Sequence, residues 1–469
     1  MWRRPSLLIY SGRWLWDEAS QLRKRYQRFN VEELKRAAAR AVNADFCTRI
    51  TKLPEGAYNK TFLLAMDNDV DVIAKIPNPY IPQKFATASE VATFDFLRNE
   101  LGIPVPRIFA WSNKKNQSVG VEYIIMEKAP GNELAKSWPA VDVSDKVDIV
   151  SQLVNIQAKI AAVDFGHYGS LLYKEDIESG IYVPGIANRF RIGPSCDLRA
   201  WEAERGAMSA FLNPWSSSAA YAIDIAKREK EWITRFAKPR HPADPLRQSD
   251  SQESPDSHIA LLDKYLKIVP NLIPQHPGQN RPVLWHSDIH SGNIIVQKNQ
   301  IVSIIDWQGC STLPVFHACR IPKFLNINND PAGLAPEEKE DIRRRYQITQ
   351  LQRHYISKFR QFDDDIFSAL SFPLALTRQQ LIDFAGYTWD DDGLYMSREM
   401  VLRAEREWEE LTGQPRSTCP VAFDADEIAL HDAEGKNWDD YRDFFDAIGV
   451  PLDGWVHHED FEEKLRNDA

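Results

Sequence analysis

The stretch that decides the fold is VLWHSDIHSGNIIVQKNQIVSIIDWQGC, residues 283–310. Two short apolar runs, 294–296 and 301–305, lie on either side of a polar turn, a pattern that predicts an antiparallel β-hairpin. Asn293 comes directly before the first run and Asp306 directly after the second. Since an antiparallel hairpin brings these two positions to the same end, an amide oxygen and a carboxylate can converge on one hard cation.

A second carboxylate, Asp288, precedes Asn293 by five residues in a loop of small and polar residues. Mg²⁺ usually takes one or two protein ligands and leaves its other positions to water and substrate phosphates. Asn293 and Asp306 are therefore enough to hold the ion. Asp288 then stays free to orient a substrate hydroxyl or to accept its proton, so the set favours phosphoryl transfer.

The upstream segment predicts a strand-rich lobe with one main helix. Two β-like runs separated by an Asp/Asn turn indicate a hairpin, and Lys75 lies on its second strand. From there its ammonium can reach nucleotide phosphates, and Glu90, near the start of the following helix, can pair with it. Two alternatives stay open: Asp95 as the partner of Lys75, and Glu90 as an acid that only stabilises the helix end.

The string HSDIHSGN at 286–293, followed thirteen residues after Asn293 by Asp306-Trp307, resembles the catalytic and metal-binding segments of the aminoglycoside phosphotransferase family. The resemblance implies an α+β, two-lobed protein-kinase-like fold with helical C-terminal extensions. It also implies ATP and Mg²⁺ as cofactors, transfer of the γ-phosphate to a hydroxyl of a small-molecule acceptor, and a role for His286 in organising the catalytic loop.

The same resemblance places the remaining cofactor-binding positions. The turn LPEGAYNKTF, with Gly56 and Asn59, takes the place of the phosphate-covering loop. The run YIIMEKAPG, with Glu127 and Lys128, takes the place of the hinge whose backbone groups hold adenine. Ser287 stands after the motif histidine, where protein kinases have arginine, which indicates a small-molecule kinase. No motif names the acceptor, whose pocket is expected between residues 165 and 280 and in the tail.

Composition narrows the class of protein. The chain has 469 residues, 43 % hydrophobic and 26 % charged, with a net charge of −10. These values are typical of a globular protein of several structural units and disfavour nucleic acid as a partner. No integral membrane segment is expected, because no run approaches ~18 uncharged apolar residues.

The five cysteines form no CxxC pair, and Cys310 and Cys319 are expected to be buried thiols. The oligomeric state is not indicated.

Changes of pattern divide the chain into four segments. They are an N-terminal extension with a helix at 1–48, a nucleotide-binding lobe at 49–130, a catalytic lobe at 131–330 and a helical, acidic extension at 331–469. The polar stretch 238–258 predicts disorder or a long surface loop with few groups to bury. The last part of the acidic extension, from Val421 to Ala469, has fifteen Asp/Glu against four Lys/Arg and predicts a solvated helical surface.

Much of the chain also resembles the fungal phosphotransferase group typified by altered inheritance of mitochondria protein nine. This resemblance implies a mitochondrial location, with the cytoplasm as the alternative because the basic N-terminus is short for a transit peptide. The rival function is a catalytically weak kinase-like binding or scaffold protein in mitochondrial maintenance. The single glycine of the phosphate-covering loop favours that rival, and the complete set Lys75, Asp288, Asn293 and Asp306 opposes it.

Overall fold

A computed structural model describes residues 12–81, 85–208, 214–242, 244, 247–326, 339–390, 393–448 and 454–467. The strands are, in chain order, β1 Gly12–Trp14, β2 Cys47–Lys52, β3 Asn59–Met66, β4 Asp71–Pro77, β5 Ile108–Ser112, β6 Tyr123–Glu127, β7 Asn132–Glu133, β8 Ser170–Tyr173, β9 Phe190–Gly193, β10 Pro282–Leu284, β11 Ile294–Gln297, β12 Gln300–Ile304, β13 Thr312–Pro314 and β14 Trp455–His457. The α-helices are α1 Glu18–Arg25, α2 Val31–Ala41, α3 Phe85–Asp95, α4 Leu134–Ser137, α5 Val143–Ala161, α6 Ser218–Phe236, α7 Pro255–Leu272, α8 Val315–Ala318, α9 Lys339–Phe359, α10 Asp364–Ser371, α11 Ala375–Ala385, α12 Gly393–Arg406, α13 Trp408–Thr412, α14 Ala425–Ile448 and α15 His458–Asn467.

The N-terminal lobe is a five-stranded antiparallel sheet in the order β2-β3-β4-β6-β5. The predicted hairpin is β3 and β4, and its turn contains Asp69 with φ +61°. One face of the hairpin, represented by Phe62 and Ala74, packs against α2. The other face, represented by Ile73, packs with Val91 of α3. A sheet between two helices therefore holds this lobe together.

Capping residues set the ends of the helices in this lobe. The Asn30 side chain accepts a hydrogen bond from the Glu33 backbone at 3.2 Å, which begins α2 as its sequence predicts. Helix α3 begins at Phe85 and continues into one π-helical turn, Phe96–Glu100, before Gly102 ends it with φ +58°. Because α3 begins this early, Glu90 lies in its middle and not near its start.

The C-terminal lobe contains the predicted catalytic hairpin, β11 and β12, which are antiparallel. Their turn has two residues with positive φ, Lys298 and Asn299, as a tight two-residue hairpin requires. Strand β7 joins the outer side of β11. Gly131, just before β7, has φ +101°, and a Cβ there would lie 2.3 Å from the Val296 carbonyl oxygen, so only glycine fits.

The expectations about the polar segments are confirmed only in part. The described residues of 238–254 form a loop without helix or strand, as expected, and α7 begins at Pro255. The expectation that this loop has few groups to bury is wrong, because Gln252 is buried and its side chain donates to the Trp389 carbonyl at 2.9 Å. In the C-terminal extension, the described side chains from 421 to 437 are mostly exposed, as expected of the acidic tail. Before that tail, large apolar side chains recur on α9 to α13 and complete the cores of the catalytic lobe. Examples are Tyr355, Phe359 and Trp408. The α+β architecture of two lobes with C-terminal helices is confirmed, and the boundaries of the four segments stay predictions.

Residues near the two ends of the described chain form a small sheet of their own. Strands β1 and β14 are antiparallel, and Gly12 is paired with His457. A Cβ at Gly12 would lie 2.2 Å from the Val456 carbonyl oxygen, so the pair depends on that glycine. Among the described residues, no helix is long and apolar enough to cross a membrane.

Candidate active site

Lys75 is a buried lysine that lies between a buried carboxylate, Glu90, and an exposed one, Asp306. Ala74 and Ile76 point toward α2, so the alternation of β4 turns Lys75 to the face that α3 covers. Its ammonium contacts the two carboxylate oxygens of Glu90 at 2.7 and 2.9 Å and Oδ1 of Asp306 at 2.7 Å. Three predicted residues from three separate elements therefore meet at one point.

The two alternatives that the sequence leaves open, Asp95 as the partner of Lys75 and Glu90 as a helix-end acid, are wrong. Asp95 does not contact Lys75; its carboxylate accepts a hydrogen bond from Tyr173 at 2.8 Å and pairs with Arg189 at 3.1 Å. Glu90 is buried in the middle of α3, so it does not act as an acid at the helix end.

The protonation states of the cluster follow from burial and charge. Burial alone would lower the pKa of Lys75, but the carboxylates of Asp306 and Glu90 outweigh this effect and raise it. The Lys75 ammonium in turn holds the pKa of Asp306 below its usual range. Burial raises the pKa of Glu90, although Lys75 opposes this. The cluster thus keeps an ammonium for phosphates and an ionised carboxylate suited to a metal ion.

His286 organises the loop between β10 and β11, as the resemblance implies. The ring is buried; its Nε2–H donates to the Ile305 carbonyl at 2.9 Å, and its Nδ1 accepts from the Asp288 backbone N–H at 3.1 Å. Burial lowers the pKa of His286, which fits a neutral ring with one donor and one acceptor nitrogen. The ring therefore fixes Asp288 relative to the strand that leads to Asp306.

Asn293 and Asp306 lie at the same end of the hairpin. The Ile305 backbone N–H donates to the Asn293 carbonyl at 3.0 Å, and the Asn293 side-chain Nδ2 donates to the Asp288 carbonyl at 3.0 Å. That second bond leaves the side-chain Oδ1 of Asn293 as its candidate ligand atom. Asp306 has φ +64°, a left-handed conformation that aspartate tolerates better than most residues.

This donor set suits a magnesium ion. It consists of one ionised carboxylate, from Asp306, and one amide oxygen, from Asn293, which are the hard oxygen ligands that Mg²⁺ prefers. Lys75 is bonded to the same carboxylate at 2.7 Å, so a bound metal ion would share the Asp306 carboxylate with the ammonium, and nucleotide phosphates would share the ammonium with that carboxylate. The residues present therefore fit the predicted ion.

The two residues predicted for the phosphate-covering loop have different surroundings. The Gly56 carbonyl accepts a hydrogen bond from Arg25 at 3.1 Å. Asn59 is buried at the start of β3, and its Nδ2 donates to Oε1 of Gln308 at 2.6 Å. Because Gln308 follows Asp306 by two residues, Asn59 joins the N-terminal lobe to the loop that carries the candidate metal ligand. Phosphate contact by Gly56 and Asn59 stays a prediction.

The predicted adenine hinge follows β6. The Glu127 backbone N–H already donates to the Arg107 carbonyl at 2.8 Å, and Lys128 forms an ion pair with Asp71 at 2.7 Å. Adenine recognition at this hinge would therefore use the Glu127 carbonyl and the backbone of Lys128. This role also stays a prediction.

A cleft of about 530 Å³ opens beside Asp288 and Asp306. Its other walls come from the loop before α6, from α6, from α8 with the residues after it, and from the end of α11. Of these, the loop and α6 lie in the segment 165–280 expected to form the acceptor pocket. The charged residues of the walls are scattered along the sequence and match no local motif, so no sequence pattern distinguishes them. They are Asp197, Arg199, Arg228, Arg320, Lys323 and Asp383.

Two ion pairs order this cleft. Lys323 contacts Oδ1 of Asp288 at 2.6 Å, and both side chains are about half exposed. Arg320 contacts Asp383 at 2.8 Å, and His317 contacts the same carboxylate at 2.9 Å. Burial alone would raise the pKa of Asp383, but Arg320 and His317 hold it well below its usual range. Lys323 thus contacts the candidate base Asp288, whereas the Asp383 carboxylate is already paired with Arg320 and His317.

The cysteines near the site are not nucleophiles. Cys310 and Cys319 are both buried. Burial raises the pKa of the Cys310 thiol to about 12 and that of Cys319 well above its usual value. Because a thiol must ionise to attack, these residues are packing groups, as the sequence predicts.

Comparisons with known proteins show the family to which the chain belongs. A subtelomeric hrmA-associated cluster protein of Aspergillus fumigatus is 29 % identical, over 90 % of this chain and 92 % of that protein. Altered inheritance of mitochondria protein 9 of Saccharomyces cerevisiae is 24 % identical, over 90 % of this chain and 74 % of that protein. A solved thermostable mutant of aminoglycoside phosphotransferase APH(4)-Ia is 14 % identical, with a TM-score of 0.43 over 81 % of this chain and 100 % of its own. The family model described as APH, phosphotransferase enzyme family, matches residues 49–317, more than half of the sequence, and the chain therefore belongs to that family.

Proposed function

We propose that this chain is an ATP- and Mg²⁺-dependent phosphotransferase that phosphorylates a hydroxyl of a small molecule. The observation that carries the proposal is the meeting of Lys75, Glu90 and Asp306 beside the cleft that also contains Asp288. Phosphoryl transfer needs a cation for the phosphates, oxygen ligands for a metal ion and a group that handles the acceptor proton. The cluster and the cleft supply one of each.

Each residue has a defined role in this proposal. Lys75 binds the nucleotide phosphates, and Glu90 holds the ammonium in place. Asn293 and Asp306 would hold Mg²⁺, which when bound neutralises charge on the phosphates. Asp288 orients the acceptor hydroxyl and takes its proton while the hydroxyl oxygen bonds to the γ-phosphorus. The bond between the γ-phosphorus and the bridging oxygen breaks, and ADP leaves.

The test is thermal unfolding of the full chain with ATP, with and without Mg²⁺. A protein that binds MgATP gains stability as the nucleotide concentration rises above its dissociation constant, by about 2.7 kcal/mol at a hundredfold excess. We expect a larger shift of the melting temperature with MgATP than with ATP and a chelator. Equal shifts would contradict the metal site, and no shift at millimolar nucleotide would contradict the enzyme.

One contact favours the alternative, a kinase-like binding or scaffold protein. The Lys75 ammonium occupies the carboxylate of Asp306 at 2.7 Å, and a protein that never binds a metal ion could retain this pair permanently. The complete set of catalytic residues favours the enzyme. ADP release in the presence of hydroxylated acceptors separates the two, because a scaffold protein would bind without turnover.

We also propose a mitochondrial location, because the yeast relative is named as a mitochondrial protein. The measurement is fractionation of cells that carry the full chain with a C-terminal tag, followed by protease protection of the mitochondrial fraction. A tag found only in the cytosol would contradict the proposal.

A further inference from the structure

Arg228 is a buried cation beside the candidate active site. It lies on α6, is 3 % exposed and lines the same cleft as Asp288. In the part of the chain that the structure describes, its guanidinium forms no hydrogen bond and no ion pair, and Nε is sealed from solvent without an acceptor. The guanidinium therefore lies at the wall of the cleft without a polar partner from the described residues.

The other buried arginines show what a structural role requires. Of the described residues, three arginines are less than a tenth exposed: Arg205, Arg228 and Arg398. Arg205 contacts Glu229 at 2.8 Å, and Arg398 contacts Glu434 at 2.5 Å. Arg228 has no such carboxylate. An unpaired buried charge is unfavourable in the folded protein, so its retention here points to a partner that is not part of the chain.

The remaining cations of the cleft already have partners. Arg320 is paired with Asp383, Lys323 with Asp288, and Arg199 is hydrogen-bonded to Tyr58. The nearby carboxylate of Asp197 accepts a hydrogen bond from Tyr387 at 3.2 Å, and no ion pair links it to Arg228. The end of α11 packs close by, since a Cβ at Gly386 would lie 3.5 Å from a terminal nitrogen of Arg228. Packing therefore holds Arg228 in place, and no carboxylate of the described residues pairs with its guanidinium.

We propose that Arg228 binds an oxyanion, a carboxylate or a phosphate, on the acceptor. The inference rests on the proposed function, because it assigns the other end of the same molecule to Asp288. A guanidinium presents a planar fork of donors that matches either oxyanion with two parallel hydrogen bonds. The acceptor is then a hydroxylated acid that reaches from Arg228 to the candidate base. An ammonium group of an acceptor would be repelled at this position.

The first experiment measures anion binding without nucleotide. Thermal unfolding of the full chain is followed in titrations with glycerate, glycerol 3-phosphate and glycerol. Arg228→Met removes the charge and keeps much of the length, and Arg228→Lys keeps the charge but loses the fork. The matched control is Arg235→Met, on the same helix, where the side chain is 56 % exposed and pairs with Glu231.

We expect one or both anions, but not glycerol, to stabilise the wild type and the control. Affinity for the anion should fall at least ~10-fold in Arg228→Met, because two charge-assisted hydrogen bonds are lost, and less in Arg228→Lys. The melting temperature of Arg228→Met without ligand should equal or exceed that of the wild type. Equal anion shifts in wild type and both variants would overturn the inference, as would no shift of the wild type with either anion.

The second experiment separates this inference from the proposed function. MgATP-induced stabilisation is measured on the same proteins, and turnover is measured by ADP release with hydroxy acids and their uncharged analogues. An unchanged MgATP shift in Arg228→Met supports the acceptor role, and a lost shift would overturn it by making Arg228 a nucleotide ligand. Failure of the wild type to bind MgATP would refute the proposed function alone. A neutral acceptor whose KM is the same in Arg228→Met would overturn the inference alone.

Discussion

The cluster of Lys75, Glu90 and Asp306 joins two buried charges to a carboxylate whose side chain is 44 % exposed. The shortest distances from the ammonium to each carboxylate are both 2.7 Å. At an effective dielectric constant of about 20, each contact corresponds to about 6 kcal/mol of Coulomb energy, most of which the cost of desolvation offsets. What remains large is the penalty for removing one partner, because Glu90 is only 2 % exposed.

We therefore expect Lys75→Met to lower the free energy of unfolding by ~3–5 kcal/mol, the usual cost of leaving a buried charge unpaired. Glu90→Gln should cost less, since Lys75 keeps its contact with Asp306. The double variant should be more stable than the sum of the single changes predicts, with a coupling of ~2 kcal/mol. Lys136→Met is the control: its ion pair with Glu133 is exposed, at 67 % and 44 %, and should contribute ~0–1 kcal/mol.

The assay is urea unfolding of the full chain, with unchanged m-values as the check that all variants unfold in the same way. The pH dependence of the stability of Lys75→Met is a second test. In Lys75→Met, burial would raise the pKa of Glu90 in the folded protein above its unfolded value, so stability would be kept at low pH and lost as pH rises. A coupling near zero, or a Lys75→Met cost no larger than that of the control, would refute the buried pairing of Lys75 with Glu90.

Three further outcomes are expected. Asp306→Asn should remove the Mg²⁺-dependent part of nucleotide stabilisation while the fold stays intact, because asparagine also tolerates the positive φ of this residue; an unchanged MgATP shift would exclude Asp306 as a metal ligand. Asp288→Asn should reduce transfer by ~10²-fold or more with MgATP affinity kept within a few-fold, as for a general base, and equal turnover on a true acceptor would reject that role. Burial lowers the pKa of His258 to about 4. The unfolded chain binds this proton near pH 6.5, so stability should be complete above that pH and fall by ~3 kcal/mol as pH drops to 4; urea unfolding of His258→Gln should show a flatter pH dependence, and an identical one would reject the assignment.

Local patterns were enough to predict the elements that carry the chemistry. The hairpins β3–β4 and β11–β12 have alternating apolar residues and polar turns, so their register and their shared ends follow from short-range rules. The position of Lys75 opposite a helix follows in the same way. Glu90 was assigned correctly as its neighbour, although the start of α3 was expected too late in the sequence.

The acceptor side of the cleft could not be predicted in this way. Arg228 and Asp383 are single charged residues on amphipathic helices, and nothing within a helical turn distinguishes them from surface charges. Their position depends on how α6 and α11 pack against β13 and α8, which is a tertiary property. The helices before the acidic tail are similar, because their high charge hides the apolar positions that place Trp408 in the core.

The pairing of β1 with β14 has a consequence for biosynthesis. The partners Gly12 and His457 are about 445 residues apart, and translation at roughly 5–20 residues per second needs about 20 to 90 s to cover that distance. During this time β1 has left the ribosome and presents an unpaired edge, which is open to other strands. The strand is only three residues long, which keeps that exposed edge small until the last part of the chain arrives.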